Sequence, residues 1–454
     1  MSLSLAQIGH WMRDHGHWIR RLQWAIVLLY AFLVLVPVFL PLPDEHARIL
    51  NHLTLFAQFV FWGIWWPFVL VSMVLMGRVW CGVLCPEGAL TEWASRSGQN
   101  RSVPRWMRWQ GWPFVAFALT TIYGQLVSVY QYPKAVLLVL GGSTVAAIAV
   151  GYLYGREKRV WCKYLCPVNG VFSVLARLAP LHMKVDRARW EASDARKVIP
   201  INCAPLVALR HMEGAEDCHV CGRCSEYRDA ITLSARAPNH EIVELAAHRA
   251  TGWQTLLIIG GLLGIAMGAF HWSASPWFVA LKQWGAEYLV EREIFWPLDA
   301  TAPWWLLTNY PSQNDSFSWL DGGAIVAYIM ATALVLGGGI SLALALASRI
   351  LGPWQKQRFY HLAQALTPIA GCGVFLGLSA LTISLLRAEH VAVDWVSSWR
   401  VAFLVAANAW SAVLAARIIA RYHPHFLRRL SANASYALAL AMIDAAWWLM
   451  FWGW

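Results

Sequence analysis

Long apolar runs separated by shorter polar segments dominate the sequence. Nine of these runs are long enough to cross a hydrocarbon core about 30 Å thick. They occupy residues 22–40, 55–76, 112–130, 135–153, 253–271, 322–347, 363–386, 398–420 and 434–452. Because backbone polar groups inside a bilayer must bond within their own segment, we expect the runs to be helical. The pattern predicts an all-α, multi-pass membrane protein with about nine transmembrane helices.

The composition supports membrane insertion. Hydrophobic residues make up 58% of the 454 residues and charged residues 13%, which is about half the charged fraction of a soluble domain. The 29 Trp residues fit the same interpretation, since Trp collects at membrane–water interfaces. The net charge of +11 resides in loops between the apolar runs. No RNA- or DNA-binding motif accompanies it, so we expect no nucleic-acid partner.

The Lys and Arg residues set the predicted orientation, because cytoplasmic loops carry an excess of them. Segment 77–111 holds five Arg and segment 154–252 holds fifteen Lys or Arg, whereas 272–321 holds two basic and six acidic residues. The pattern therefore places the N-terminus, 77–111 and 154–252 in the cytoplasm. Segment 272–321 is expected outside, along the membrane surface or as a docking face. Nine spans then put Trp454 on the periplasmic side of a bacterial inner membrane.

A cysteine motif occurs twice, after each of the first two pairs of apolar runs. The sequence Arg-Val-Trp-Cys-Gly-Val-Leu-Cys-Pro at 78–86 returns as Arg-Val-Trp-Cys-Lys-Tyr-Leu-Cys-Pro at 159–167. The two copies align Cys81 with Cys162 and Cys85 with Cys166. Cys residues four positions apart share one face of a helix, and the Pro that follows turns the chain.

Two such units would present four thiolates to a common point. Four Cys thiolates are the ligand set of a [4Fe–4S] cluster, so we expect the repeat to bind one. The alternative is that these Cys are small packing residues in membrane helices. A disulfide is disfavoured by the reducing cytoplasm.

A second cysteine group lies in the polar segment between the fourth and fifth runs. Cys218, Cys221 and Cys224 have the C-x2-C-x2-C spacing of ferredoxin loops. The fourth Cys of that pattern is absent, and Cys203 is the only other Cys in the segment. We therefore predict Cys203 as the fourth ligand of a second cluster, whose nuclearity is open between four-iron and three-iron forms.

Zinc is the competing metal for this second group. A zinc site would use the four Cys, or three Cys with His219 or His211. Zinc ligands usually come in well-separated pairs, whereas a triple at this spacing favours a cluster.

The cysteine groups divide the chain into three predicted regions. Residues 1–180 form a four-helix membrane unit with both motif copies, and 181–250 form a cytoplasmic ferredoxin-like segment. Residues 251–454 form a C-terminal membrane domain of about five helices with the outer loop 272–321.

Other conspicuous residues are expected to have structural roles. Cys372 stands in a Gly-rich apolar run, where small residues let helices pack closely. Trp62, Trp65 and Trp66 would suit a quinone ring and would equally form an interfacial belt. Five His at predicted helix ends are expected to be interfacial rather than haem ligands: His271, His361, His390, His423 and His425.

The quoted motifs resemble those of the bacterial membrane polyferredoxins, 4Fe–4S binding proteins that include the NapH, NosR and CcoG types. The stretch Asp-Cys-His-Val-Cys-Gly-Arg-Cys-Ser at 217–225 looks closest to the FtrD-like polyferredoxin of a ferrous-iron uptake system. The resemblance covers about residues 20–245. It implies that the four Cys of the repeat are cluster ligands, together with Cys218, Cys221 and Cys224.

The resemblance implies an electron-transfer subunit with two [4Fe–4S] clusters rather than a stand-alone enzyme. Electrons would pass between a cytoplasmic or quinol donor and an extracytoplasmic acceptor, in support of iron uptake. The expected partners are the lipid bilayer, an extracytoplasmic redox or iron-binding protein, and a permease subunit. Because both cluster sites are expected at the cytoplasmic face, a quinone, a partner subunit or, least favoured, a haem has to bridge the membrane core.

Two other functions compete with electron transfer. One is a metal-centre assembly or maturation factor that uses the same cysteines. The other is a permease, but the predicted spans are nearly uncharged apart from Asp444, and transporters mark their path with intramembrane ionisable residues. Transport by this chain alone is therefore not expected.

Overall fold

A computed structural model of the chain describes residues 4–44, 46–193 and 200–454 and is mainly helical. In the described residues, eight helices are long and apolar enough to cross a membrane. They are Gly16–Phe39, Leu53–Met76, Pro133–Tyr154, Gly252–Ala274, Trp319–Ile350, Thr367–Ala388, Trp395–Tyr422 and Phe426–Gly453. The predicted all-α multi-pass membrane architecture is confirmed.

The remaining predicted run, at 112–130, forms a shorter helix than these eight. Trp112–Leu126 has 15 residues, which gives a length of about 22 Å against a hydrocarbon core of about 30 Å. The chain turns away immediately afterwards, with Ser128 at a left-handed φ of 49°. The Val129 N–H donates to the Gly124 carbonyl at 2.9 Å and closes the helix end. The apolar run therefore continues past the point where the helix stops.

Shorter elements make up the rest of the described chain. The helical segments are Leu5–Asp14, Trp80–Leu84, Pro86–Arg96, Trp112–Leu126, Val160–Tyr164, Asn169–Ala176, Arg187–Ala192, Leu209–His211, Tyr227–Asp229, Glu241–Leu245, Ala246–Arg249, Pro276–Glu291, Trp296–Leu298, Pro311–Gln313 and Lys356–Gln364. Two small antiparallel sheets pair β1 (Leu181–Val185) with β2 (Ile231–Ala235), and β3 (Asn309–Tyr310) with β4 (Asp315–Ser316).

The chain forms two compact units. The first comprises residues 1–36, 65–116 and 140–249, and it contains both motif copies and the polar segment with the second cysteine group. The second comprises 37–64, 117–139 and 250–454.

In the first unit, the β1–β2 sheet forms the base of the polar segment. Met183 on β1 pairs with Leu233 on β2, and both side chains are buried in a core that also includes Ile231. The N-terminal helix packs on this core through Leu5 and Ile8. The helix before the first span thus covers the cysteine segment, although the apolar pattern gave it no role.

In the second unit, glycines allow two membrane helices to approach closely. A Cβ at Gly264 would lie 2.9 Å from the Ala333 Cα, and one at Gly268 would lie 2.9 Å from the Ile329 Cα. Small residues at helix contacts are typical of membrane bundles, where close van der Waals packing drives association. The helices Gly252–Ala274 and Trp319–Ile350 therefore share a tight interface.

Candidate cysteine site

Both copies of the repeated motif end in the same turn. The Cys85 N–H donates to the Trp80 carbonyl at 2.8 Å, and the Cys166 N–H donates to the Trp161 carbonyl at 3.0 Å. Each bond spans five residues, so the turn is wider than an ordinary α-turn. The sequence repeat therefore becomes a repeat of local structure. The chain changes direction at the Pro after each second Cys, because Pro lacks an N–H to continue the helix.

The four Cys of the repeat, here called the repeat cysteine group, lie within electrostatic range of one another. Burial, and then the charges of Cys162 and Cys81, raise the pKa of Cys85 well above its ordinary value. Burial raises the pKa of Cys162 to about 12, and Cys81 is among its charged neighbours. Burial also raises the pKa of Cys166, whose neighbours include Cys162 and Cys85. The two motif copies therefore bring their thiols together.

The second set, here called the loop cysteine group, contains Cys203 as well as the predicted triple. Burial raises the pKa of Cys218 to about 12, and the charges of Cys221 and Cys203 act in the same direction. Burial, followed by the charges of Cys218, Cys221 and Cys203, raises the pKa of Cys224 well above its ordinary value. The structure thus places Cys203 beside the triple, although the two parts are distant in sequence.

The loop that holds the triple uses left-handed backbone conformations. Gly222 has a φ of +76°, and Val220 has a φ of 45°. Glycine adopts this region without a Cβ penalty. A Cβ at Gly222 would also lie 2.5 Å from the Met12 Cβ of the N-terminal helix. The Gly between the second and third Cys therefore allows both the tight loop and its cover.

Gly82 brings the two cysteine groups into backbone contact. A Cβ at this position would lie 2.1 Å from the His219 carbonyl oxygen and 3.1 Å from the Cys221 Cα. Because Gly82 directly follows Cys81, one residue of the repeat group adjoins the loop group. The two groups are neighbours rather than separate sites.

Two buried arginines flank the cysteine groups. Arg78 is 3% exposed and Arg159 is 1% exposed. Arg159 donates from Nε to Glu92 at 2.8 Å, and it also donates to the Cys81 carbonyl. Although burial alone would raise the pKa of Glu92, the charges of Arg159 and Arg223 hold it below its ordinary value. Sequence reasoning gave these arginines no role, although their repetition three residues before each first Cys was an available signal.

A buried carboxyl group lies beside the repeat cysteine group. Glu87 accepts hydrogen bonds from Ser143 Oγ at 2.6 Å and Trp161 Nε1 at 3.1 Å. Burial raises the pKa of Glu87. Its charge acts on Cys85 and Cys166, so the Glu of the first motif copy is part of the site.

The two His proposed as zinc ligands differ in their surroundings. His219 is 2% exposed, and its Nδ1 has no hydrogen-bond partner in the described chain. Burial and then the charges of Arg78 and Arg159 hold its pKa well below the ordinary value. His211 is exposed. Over residues 4–44, 46–193 and 200–454, no three His, Cys, Asp or Glu side chains converge closely enough to hold a single metal ion.

The donor set fits iron–sulfur clusters. Each group supplies four thiols, all without disulfide partners, and a [4Fe–4S] cluster takes one Cys thiolate on each of its irons. The ligands of such a cluster surround a body larger than an ion. Because metal-bound Cys is deprotonated, a bound cluster replaces the protons of its ligands.

The remaining residues singled out from the sequence have other contacts. His271 is buried against Trp454, with ring centroids 5.2 Å apart, and His361 Nδ1 bonds to the Tyr422 hydroxyl at 2.8 Å. The aromatic residues considered for quinone binding pack on other rings: Trp62 on Tyr130, Trp65 on Trp80 and Trp66 on Phe172. Three further His, at helix ends as predicted, are His390, His423 and His425.

Both copies of the repeated motif lie in stretches that match a known protein family. Residues 58–104 and 137–186 match the family described as a 4Fe-4S binding domain. Each stretch contains one copy of the Trp-Cys-x3-Cys-Pro motif. The two matches indicate 4Fe–4S cluster binding, which is the kind of cofactor predicted from the motif.

Three named relatives are similar over part of the chain. It is 24% identical over 241 residues to YccM of Escherichia coli, whose name assigns it to electron transport. It is 28% identical over 176 residues to the ferredoxin-type protein NapH of Haemophilus influenzae, and 26% identical over 183 residues to the regulatory protein NosR of Pseudomonas aeruginosa. These matches confirm the resemblance to membrane polyferredoxins. The closer likeness to the FtrD type stays a prediction.

The matches are partial on both sides. They cover 46%, 34% and 36% of this chain. They cover 65%, 61% and 25% of the three relatives, so the chain spans less than two thirds of each relative's own length. No solved structure matches the chain significantly.

Proposed function

We propose that this membrane protein, which matches a 4Fe–4S binding domain twice, transfers electrons through two iron–sulfur centres that lie side by side. The repeat cysteine group holds one centre and the loop cysteine group holds the other. The observation that carries the proposal is the contact at Gly82, which places the loop backbone against the residue after Cys81. Two thiol sets of the same chemistry on adjoining backbone segments suit stepwise transfer of single electrons.

The protein's own contribution is to bury the ligands and to balance their charge. A bound cluster supplies a one-electron couple whose potential depends on charge, hydrogen bonds and solvent exposure. Cys81, Cys162, Cys218 and Cys224 are buried, which limits water at the sulfur atoms. The N-terminal helix and the β1–β2 core cover the loop group.

Charge distribution and similarity support a location and partners for the transfer. The basic segments 77–111 and 154–252 favour a cytoplasmic location for both centres. In this proposal the protein lies in a bacterial inner membrane and passes electrons between a cytoplasmic or quinol donor and an extracytoplasmic acceptor. Support of iron uptake, with an iron-binding protein and a permease as partners, rests on the likeness of 217–225 to the FtrD type.

A redox titration tests this function. The anaerobically purified chain in nanodiscs is reduced photochemically with deazaflavin and then reoxidised with ferricyanide. We expect reversible uptake and return of about two electrons per chain, one for each centre. A chain that contains its iron but takes up no electrons reversibly between these two reagents would rule the function out.

Cys203 offers a separate test of the loop centre. Cys203→Ser is expected to leave the repeat centre intact and to convert the loop centre into a three-iron or labile form, because one iron loses its thiolate. Electron paramagnetic resonance of the oxidised protein would show a three-iron signal, or iron would fall by about one half. Zinc bound at one equivalent in the wild-type loop, with no paramagnetic signal after reduction, would contradict the assignment.

A further inference from the structure

The two buried arginines occupy equivalent positions in the repeated motif. Arg78 precedes Cys81 by three residues, and Arg159 precedes Cys162 by the same interval. Both side chains are almost fully removed from solvent, at 3% and 1% exposed. Burying a guanidinium is costly unless an opposite charge or a full set of hydrogen bonds compensates. Duplication of such a costly feature indicates a role tied to the motif.

Arg159 reaches from the second motif copy to the first. It donates to the carbonyls of Cys81 and Gly82, the latter at 3.4 Å. Its Nε donates to Glu92 at 2.8 Å. Its charge acts on Cys162 and Cys221, which belong to different cysteine groups. The guanidinium therefore lies where the two groups meet.

Arg78 makes the reciprocal crossing from the first copy to the second. It donates to Asn169 Oδ1 at 2.7 Å, two residues after the Pro of the second motif. It also donates at 2.8 Å to the Glu216 carbonyl, just before the loop triple. Each arginine thus bonds to the other motif copy. Arg78 also bonds to the loop segment, and Arg159 bonds to Gly82, the residue that contacts that segment.

The charge of Arg78 is less fully balanced than that of Arg159. Both acceptors just named are uncharged, and Arg78 Nε has no hydrogen-bond partner in the described residues. Its charged neighbours include Cys81, Asp217 and Cys166. A buried positive group beside cysteines from both motif copies fits an anionic, thiolate-bound body between them.

We propose that Arg78 and Arg159 are positioning residues that hold the two cysteine groups together and raise the reduction potentials of both centres. The proposal rests on the function proposed above. Reduction transfers one electron to a centre and adds one negative charge, while the donor centre loses one. A fixed positive charge in a low-dielectric surrounding stabilises the more negative, reduced form. The arginines would thereby keep both centres reducible by the same donor.

Charge-removing and charge-keeping variants separate this role from simple packing. Arg78→Gln removes the positive charge and leaves no carboxylate unpaired. Arg159→Gln is combined with Glu92→Gln, so that no buried carboxylate loses its partner, and Glu92→Gln alone is the reference that isolates the charge of Arg159. Arg78→Lys keeps the charge but loses the forked hydrogen bonds. Arg105→Gln, at an exposed position of the same unit, is the matched control.

Iron and sulfide content are measured first, and the potentials are then measured by titration monitored by paramagnetic resonance. We expect the Gln variants to keep their clusters. Arg78→Gln should shift both potentials to more negative values than wild type, and the Arg159→Gln, Glu92→Gln variant should do so relative to Glu92→Gln alone. In each case the equilibrium for reduction should change about ten- to hundredfold. The Lys variant and the Arg105 control should stay near wild type. Wild-type protein without iron would defeat the proposed function itself.

The potentials decide the inference when the clusters are present. Unchanged potentials in both Gln variants would overturn it. If the Gln variants lose iron, Arg78→Lys decides the inference. Retained clusters with wild-type potentials in that variant support a role for the positive charge. Loss of the clusters in the Lys variant as well overturns the inference. The spin–spin interaction between reduced centres, which a purely electrostatic effect leaves intact, should weaken when the hydrogen bonds of Arg159 are removed.

Discussion

Cys81→Ser and Cys162→Ser are each expected to remove the repeat centre and to lower the iron content from about eight to about four per chain. Each variant changes one Cys, from a different motif copy, and both of these Cys lie in electrostatic range of Cys85. A cluster that spans both copies fails when either copy loses a ligand. Iron and acid-labile sulfide analysis of the anaerobically purified variants measures the loss.

The ninth Cys of the chain provides the control. Cys372 lies in the helix Thr367–Ala388 of the other unit, and Cys372→Ser should keep the full iron content. If Cys81→Ser loses the repeat centre but Cys162→Ser retains it, the two copies do not share one cluster. That result would contradict the joint site.

Gly82→Val is expected to separate the loop group from the repeat group. The new Cβ would lie 2.1 Å from the His219 carbonyl oxygen, a distance that no packed atom pair tolerates. Backbone on both sides would have to move, and overpacking of this kind costs typically about 1–3 kcal/mol. We expect a lower melting temperature in detergent and loss of the spin–spin interaction between reduced centres.

A glycine in open surroundings gives the matched control for Gly82. No heavy atom lies within 4 Å of a Cβ at Gly142, a membrane-helix position of the same unit. Gly142→Val should keep both the melting temperature and the spin–spin interaction. A Gly82→Val protein that retains the wild-type interaction would show that the centres do not depend on this contact.

The sequence predicted those features that repeat or follow a simple period. Apolar runs gave eight of the long helices, because burial in lipid requires an unbroken apolar segment. The repeated Trp-Cys-x3-Cys-Pro motif predicted the joint thiol group, since duplication preserves local geometry. The assignment of Cys203 to the loop group relied on elimination, and the structure places it beside the triple.

Features that depend on tertiary contact could not be read from the pattern. The end of the helix Trp112–Leu126 is set by a left-handed turn at Ser128, which hydropathy does not report. The cover formed by the N-terminal helix depends on two apolar side chains, Leu5 and Ile8, that meet strands far along the chain. The roles of Arg78 and Arg159 depend on burial, and a basic residue in a predicted loop is normally read as exposed.

A polar side-chain contact joins two membrane helices of the second unit. Asn408 Nδ2 donates to Asp444 Oδ1 at 2.7 Å, so the acidic residue noted in the last helix has a partner. A paired carboxylate is less costly in lipid than an isolated one.

Metal and sulfide analysis of the anaerobically purified wild-type chain tests the central claim most directly. Two clusters of four irons predict about eight iron and about eight acid-labile sulfide per chain, with interacting paramagnetic signals after dithionite reduction. A folded, colourless protein that contains zinc or no metal, and that shows no signal after reduction, would contradict the account.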